Sequence, residues 1–332
     1  MRHTTHAILL LVSAAALSFQ AARVATADDF RWEIDQPHQY YTLWDGDLRV
    51  LRYNFGTVPM PPGRQPEHFE DGRPYGGERS DYIHPLYGLK GEVLTEDYPE
   101  HPHHRGIWWS WPVVRWNDRV ADIWAVCDVW ARPEKLESVK AEPAGAELRA
   151  TNRWEFGSEK HAIVREELCV RILPKASQGF AGRCVDIDVT LTALEPNVAI
   201  GGRPHAGYGG VTLRAVPAQN QQITPNVDAD SAKPRRAWCQ YSADFAGSPG
   251  RTAMIMFQHP GNPNYPTPHL VYPNLNCFMP AFPGEQEFAL PQGKPVLLRH
   301  RIWIRQEEAR PEELKAMWDA FAAGTEAPPA KP

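Results

Sequence analysis

Alternation of apolar and polar residues with a period of two is the feature that most constrains this 332-residue chain. The alternation recurs in ten segments, and Asp45-Gly46 between two of them is typical of a hairpin turn. Because helical patterns do not alternate with these segments, they favour antiparallel sheets over a parallel α/β fold. The predicted strands cover residues 31–34, 40–44, 48–53, 136–141, 147–154, 164–172, 182–191, 211–215, 252–258 and 295–304.

One segment, residues 311–323, has the pattern of an amphipathic helix. Pro311 suits the first helical position and Gly324 suits the end. The apolar stripe consists of Leu314, Met317, Trp318 and Phe321. We therefore predict an all-β fold, an antiparallel β-sandwich with a C-terminal helix covering one sheet, in a single domain over residues 28–324, followed by a loose tail over residues 325–332.

The first 27 residues have the pattern of a secretory signal peptide. Basic residues precede a short apolar run, and Ala25-Thr26-Ala27 forms a small-residue cleavage signal. The alternative is a membrane anchor, but the run falls short of the roughly 20 residues that span a bilayer. We predict cleavage after Ala27, a periplasmic or secreted protein, and no membrane span.

Charge argues against a nucleic-acid partner. The chain has 35 Lys and Arg against 40 Asp and Glu, a net charge of −5. Removal of residues 1–27, which hold arginines and no acid, makes it more negative. A protein that binds nucleic acid through its phosphates usually has the opposite balance.

The chain has five cysteines, and no two have the Cys-x-x-Cys spacing of zinc ribbons. Cys169 and Cys184 lie on the same face of two predicted strands that flank a turn. We predict a cross-strand disulfide between them, which would contribute on the order of 3 kcal/mol. The alternative is a pair of half-buried thiols.

Two long segments, residues 57–106 and 258–283, are rich in Pro, Gly, His and aromatic residues. Long irregular segments within a domain usually have a function or are disordered. Since aromatic residues are scarce in disordered regions, we interpret these segments as ordered walls of a site.

The densest group of reactive side chains spans residues 101–111, His-Pro-His-His-Arg-Gly-Ile-Trp-Trp-Ser-Trp. Imidazoles exchange protons near neutral pH, and indoles stack on the apolar faces of sugars or pack a core. In an extended segment His101 and His103 point one way and His104 the other, so at most two of them serve easily as metal ligands. The sequence is compatible with three interpretations of this segment: a catalytic site, a structural cluster or a metal site.

A glycine-rich segment covers residues 201–210 and contains Arg203, His205 and Tyr208. It lacks the G-x-x-x-x-G-K-[ST] spacing of a nucleotide-binding loop. Arg203 is either a clamp for a carboxylate or for sugar hydroxyls, or a surface residue at a sheet corner. A third histidine motif, His259-Pro260-Gly261-Asn262-Pro263, lies in the second long segment.

Several motifs together resemble those of the secreted bacterial PmoA-like family, whose members often have the label "methane oxygenase PmoA". They are residues 82–86, 101–109, 122–124, 205–210 and 259–263. The resemblance spans residues 31–304 and implies a β-sandwich, with the mutarotase-type super-sandwich as one form, in bacteria rich in polysaccharide-degrading systems. The oxygenase label conflicts with the lack of spanning segments after residue 27. The resemblance identifies no catalytic residues.

We therefore predict an exported carbohydrate-active enzyme, a hydrolase, lyase or epimerase, with its site on one face of a sheet. The predicted catalytic residues are His103, His104, His205 and His259; the predicted substrate-binding residues are Arg105, Trp108, Trp109, Arg203 and Tyr208. For a uronate, Arg203 would neutralise the carboxylate while a histidine or Tyr208 removes the neighbouring proton. No cofactor is predicted. The alternatives are a carbohydrate-binding protein without catalysis and a mononuclear metal protein.

Overall fold

The computed structural model describes residues 29–97, 100–175, 179–226 and 237–324. In these ranges the chain forms two eight-stranded sheets, a four-stranded sheet, a two-stranded ribbon and one α-helix. The strands of each sheet are antiparallel, which confirms the predicted all-β antiparallel sandwich with its C-terminal helix. The predicted signal peptide and the predicted tail lie outside the described residues.

The first large sheet is built from the N-terminal third of the chain together with three later strands. In spatial order it contains β1 (Phe30–Asp35), β2 (Tyr40–Asp45), β3 (Leu48–Asn54), β6 (Tyr82–Leu86), β7 (Ile107–Ser110), β15 (Gly210–Arg214), β20 (Cys277–Pro280) and β19 (His269–Tyr272).

The second large sheet contains the longest strands. In spatial order they are β10 (Val129–Glu142), β11 (Gly145–Phe156), β12 (His161–Leu173), β13 (Arg183–Ala193), β22 (Val296–Gln306), β18 (Thr252–Gln258), β17 (Trp238–Asp244) and β16 (Gln219–Pro225).

Shorter strands form the rest of the β-structure. The four-stranded sheet contains β21 (Phe288–Leu290), β14 (Val198–Gly201), β8 (Val113–Trp116) and β9 (Arg119–Ala121), and the ribbon contains β4 (Glu67–His68) and β5 (Pro74–Tyr75). A 3₁₀ turn at Pro273–Leu275 joins β19 to β20.

The period-two pattern divides the first sheet into an inner and an outer face. On β15, Val211 and Leu213 are buried in the main core together with residues of both large sheets, whereas Thr212 and Arg214 are on the outer face. On β20, Phe278 packs in the same core. The outer face of the first sheet has a separate apolar cluster, formed by Tyr82, Trp108, Trp124, Cys277 and Met279.

The C-terminal helix, α1 (Pro311–Ala323), has the bounds that the sequence predicts. Pro311 occupies the first turn, and Gly324 follows the last residue. The buried side chains of the helix pack against Ile255 and Phe257 on the outer face of the second sheet. The helix therefore covers the face of the sandwich opposite the cluster around Trp108. It is the one α-helix of the described residues, and it is too short and too polar to cross a membrane.

Each of the ten strands predicted from alternation is present, within longer or shifted bounds. The two long segments predicted as irregular contain short strands: β4, β5 and β6 in the first, and β19 and β20 in the second. These strands have two to five residues and include prolines, so they are too short to display a period.

The predicted disulfide between Cys169 and Cys184 is wrong, because both thiols are free. In the hairpin of β12 and β13, Cys169 pairs with Asp188, whereas Cys184 pairs with Leu173. The two cysteines share a face, but the register separates them by about 13 Å along the strands, at roughly 3.3 Å per residue. A disulfide requires Cα atoms within about 7 Å.

Candidate functional site

A cavity of about 290 Å³ opens on the outer face of the first sheet. Its floor comes from β20 and its neighbours, and its walls come from the loops before β7 and before β15. It is lined by Phe69, Tyr75, His101, His103, His104, Trp124, Ala125, Arg203, Tyr208, Tyr272, Leu275, Cys277 and Met279. Four of the predicted site residues, His103, His104, Arg203 and Tyr208, are brought together here.

The three histidines of the cluster all line the cavity. A backbone hydrogen bond from His104 N to His101 O, 3.0 Å long, closes a turn over residues 101–104. The rings of His101 and His104 stack with centroids 5.0 Å apart, and the ring of His103 lies edge-on to that of His104 at 4.7 Å. The expectation of an extended segment with alternating side chains was wrong, because this turn brings all three rings to one side.

Arg214, the last residue of β15, fixes the orientation of His104. Its Nη1 lies 3.0 Å from His104 Nδ1, while Glu96 and Glu100 accept hydrogen bonds from its other nitrogens. Since a guanidinium has donors only, Nδ1 of His104 is the acceptor and Nε2 carries the proton. Burial and then the charges of His103 and Arg214 hold the pKa of His104 well below its usual value. His104 is therefore a neutral hydrogen-bond donor at neutral pH.

His103 has a different environment from His104. Burial, reinforced by the positive charges of His101, Arg79 and Arg203, lowers its pKa to about 3. Its Nδ1 is buried and has no hydrogen-bond partner among the described residues. Because Nδ1 is buried, a ligand can reach the ring only at Nε2, to which no guanidinium of the described residues donates, so a lone pair on Nε2 could accept a proton.

Arg203 and Tyr208 form the opposite wall. Arg203 donates from Nε to the Tyr208 hydroxyl at 2.8 Å and from Nη2 to Asp122 at 2.9 Å. Burial raises the pKa of Asp122 to about 6, although the charge of Arg203 opposes this shift. The loop depends on Gly202, where a Cβ atom would lie 2.5 Å from the carbonyl oxygen of Gly207. Arg203 is partly buried and lines the cavity.

Aromatic side chains that the sequence hypothesis did not include line much of the cavity. Trp124 packs against Tyr208 with ring centroids 5.0 Å apart, and Tyr272 contacts Tyr208 edge-on at 6.4 Å. Phe69 and Tyr75, from the small ribbon and its turn, pack together at 4.5 Å. Trp124 belongs to a motif that the resemblance singles out, whereas Phe69, Tyr75 and Tyr272 had no signal beyond the aromatic content of the long segments.

Two predicted substrate-binding residues lie behind the cavity wall. The ring of Trp108 is fully buried and stacks beneath His104 at 5.1 Å. Arg105 is also buried; its guanidinium donates to Asp97 at 3.4 Å and to the carbonyl of Gly77 at 3.2 Å. These residues support the lining and do not reach the open space.

The other three predicted residues lie away from the cavity. Trp109 points into the core between the sheets. His205 is exposed on the turn after Arg203. His259 is buried beside Phe321 of α1, on the opposite face of the sandwich. Successive side chains of β7 point to opposite faces of the sheet, which separates Trp109 from Trp108. His259 is distant because it follows a strand of the second sheet.

The indole of Trp109 marks a buried pair of carboxyl groups that the sequence did not reveal. Its Nε1 lies 2.9 Å from Asp81 Oδ2 and 2.9 Å from Glu166 Oε1. Tyr53 donates to Asp81 at 2.7 Å, and Trp154 donates to Glu166 at 2.8 Å. Burial and the nearby charge of Glu166 raise the pKa of Asp81 well above its usual value. Burial therefore favours the protonated form of Asp81 beside the carboxyl group of Glu166.

Within the residues that the structure describes, no group of three or more His, Cys, Asp or Glu side chains has a geometry that could hold a metal ion. The imidazoles of His101, His103 and His104, which contact one another, do not form such a group.

Comparisons with known proteins place the chain in a family. A search of curated proteins found no match. A family model described as a family of unknown function, DUF6807, matches residues 42–319, which include every residue that lines the cavity. The chain belongs to this family of unknown function, DUF6807.

Proposed function

We propose that the cavity is the substrate site of an exported carbohydrate-active enzyme. One observation carries the proposal: His103 and His104 from one loop, and Arg203 and Tyr208 from another, open onto a single cavity with aromatic walls. Separate segments of the chain thus supply an imidazole with a free lone pair, an imidazole donor, a guanidinium and a phenol.

The walls favour a sugar as the ligand. Tyr208 and Tyr272 are partly exposed aromatic residues of the lining, of the kind that stack on the apolar faces of sugar rings, and the buried Trp124 packs against Tyr208. The volume of about 290 Å³ lies at the lower end of the range for small-molecule sites, about 300–1,000 Å³. The site therefore suits one or two sugar units, with hydroxyl groups bonded to Arg203 and His104.

His103 is the residue we propose as the base. It accepts a proton from the bound sugar, while the Nε2–H of His104 donates to an oxygen on which negative charge develops. No carboxyl group is among the residues that line the cavity in the described part of the chain. Because most glycosidases use two carboxyl groups, this lining favours a lyase or an epimerase over a hydrolase.

Turnover of a panel of oligosaccharides by wild type and two matched variants tests the proposal. His103→Gln removes the base and lowers turnover by about 100-fold or more, in line with the contribution of general base catalysis. His205→Gln, on the exposed turn outside the cavity, leaves turnover within about twofold. Equal turnover by wild type and His103→Gln would refute the role of His103.

The second candidate is a sugar-binding protein without catalysis. The low pKa of His103, about 3, favours it, because such an imidazole is a weak base at neutral pH. This candidate predicts that sugars bind and that no product forms. Formation of any product that depends on His103 eliminates it.

We also propose that the protein is exported and that, as its resemblance to the PmoA-like family implies, it works in bacteria that degrade polysaccharides. The signal-peptide pattern of residues 1–27 and the motif resemblance support both statements. N-terminal sequencing of the protein from its native host tests export: a mature chain beginning at Asp28 is expected, and a chain that keeps residues 1–27 in the cytoplasm would contradict it.

A further inference from the structure

Resting on the proposed sugar site, we propose that the sugar bears an anionic group, a carboxylate or a sulfate ester, that binds to Arg203. The inference depends on three features of the described residues: the unused donor of Arg203, the charge of the lining, and a buried cation behind it.

Arg203, which lines the cavity, has a donor to spare. Its Nε is bonded to Tyr208 and its Nη2 to Asp122, whereas Nη1 has no hydrogen-bond partner among the described residues. The side chain is 33% exposed, and Nη1 is not among its buried atoms. Asp122 and Tyr208 hold the guanidinium plane in place, which reduces the entropy lost when an anion binds.

The lining contains Arg203 and three imidazoles but no carboxylate. The acids that pair with the neighbouring arginines lie outside the lining: Asp122 with Arg203, and Glu96 and Glu100 with Arg214. An anion that enters the cavity therefore meets donors and no like charge at its surface.

Arg79 adds a positive charge behind the wall. It is buried, and its guanidinium donates only to the backbone carbonyls of His103, Ile123 and Trp124. No carboxylate of the described residues lies within ion-pair distance of it, and the charge of Asp122 compensates it only from farther away. Burial lowers its pKa to about 10, so it stays charged at neutral pH. Two of these carbonyls belong to residues that line the cavity, and an anionic ligand would compensate this charge.

The same charges connect the ligand to the proposed base. Burial is the main cause of the low pKa of His103, and the positive charges of His101, Arg79 and Arg203 add to it. An anion beside Arg203 offsets part of this positive charge and so raises the pKa of His103, while the effect of burial stays. The anionic group of the sugar would thus orient the ring and lower the cost of protonating His103.

Calorimetric titration of the wild-type protein with matched monosaccharides tests the proposal. The probes are D-glucuronate and D-galacturonate for the carboxylate, glucose 6-sulfate for the sulfate ester, and D-glucose and D-galactose as neutral parents. We expect an anionic sugar to bind about tenfold or more tightly than its neutral parent, with an affinity that falls as salt rises. The tighter of the two anion classes identifies the group.

Variants separate this inference from the proposed function. Arg203→Gln removes the anionic preference, Arg203→Lys keeps part of it, and Arg165→Gln, an exposed residue of β12, leaves it unchanged. Neutral parents that bind as tightly as the anionic sugars would overturn the inference and leave the sugar site standing. Absence of binding by all five sugars would overturn the inference together with the proposed function.

Discussion

Nη1 of Arg214 lies 3.0 Å from Nδ1 of His104, and both side chains are buried. This contact fixes the tautomer of His104, because the guanidinium can only donate. Protonation of Nδ1 would place two N–H groups and two positive charges against each other. The adjacent histidines His103 and His104 are therefore suited to different tasks, the first to accepting a proton and the second to donating a hydrogen bond.

Arg214→Met tests this assignment. The substitution removes the positive charge of Arg214 and the hydrogen-bond donor to Nδ1 of His104. The pKa of His104 therefore rises, and its ring exchanges between the two tautomers. ¹⁵N NMR of the imidazoles measures both effects, and ligand affinity is expected to fall about tenfold, the value of one charge-assisted hydrogen bond. A wild-type His104 that is protonated on Nδ1, or that titrates between pH 5 and 8, would contradict the assignment.

The buried carboxyl groups of Asp81 and Glu166 predict an unusual dependence of stability on pH. The pKa of Asp81 in the folded protein is raised above its unfolded value of about 3.9. Its contribution to stability is therefore most favourable below that value and decreases as pH rises towards the folded pKa.

Asp81→Asn removes this decrease, because an amide replaces the protonated carboxyl group without a charge. Thermal unfolding of both proteins at pH 4.5 and pH 8 measures the effect as the change in melting temperature between the two conditions. We expect the variant to gain stability relative to wild type at pH 8. Parallel pH profiles for the two proteins would show that Asp81 is not held protonated.

Met317 tests the packing of α1 on the second sheet. Its side chain is 1% exposed and lies in the apolar cluster with Phe257 and Trp303. Met317→Ala leaves a cavity and is expected to lower the free energy of unfolding by about 2–5 kcal/mol. The matched control, Lys315→Ala on the exposed side of the helix, should cost about 0.5 kcal/mol or less. Equal denaturant midpoints for the two variants would place the helix away from the sheet.

Free thiols are expected at all five cysteines. Mass spectrometry after unfolding and alkylation without a reductant should show five added groups on each chain. A mass lower by two groups would reveal a disulfide, and a peptide map that places it between Cys169 and Cys184 would contradict the register of β12 and β13 given above.

Alternation identified β12 because this strand buries one face in the core and has polar residues on the other. On β18 both faces are apolar, because α1 covers the outer one. Alternation missed the short strands around the cavity, where prolines and functional side chains replace the pattern. The helix was predicted with its bounds because Pro311, Gly324 and the apolar stripe agree locally. The register between β12 and β13 depends on the packing of the whole sheet. The alternation of apolar and polar residues therefore could not predict the distance between Cys169 and Cys184.

The site was predicted in part for a similar reason. Composition alone drew attention to the loops that contain His103 and Arg203, and these loops do meet. Neighbouring side chains on a short strand point to opposite faces of the sheet: Trp108 packs behind the cavity wall, whereas Trp109 points into the core. His259 lies in a segment rich in Pro and Gly, like the segments that form the site, but this segment follows β18 of the second sheet. Arg214 gave no signal, because its role comes from a contact with a residue far along the chain.

A crystal structure of the protein with the sugar that binds most tightly in the titrations tests the central claim most directly. We expect the sugar to lie in the cavity with its oxygen atoms within hydrogen-bond distance of Arg203 Nη1 and His104 Nε2. We also expect a face of the sugar ring to pack against the aromatic wall that includes Trp124. A sugar bound elsewhere on the surface at saturating concentration, with the cavity between His103 and Tyr208 filled only by solvent, would contradict it.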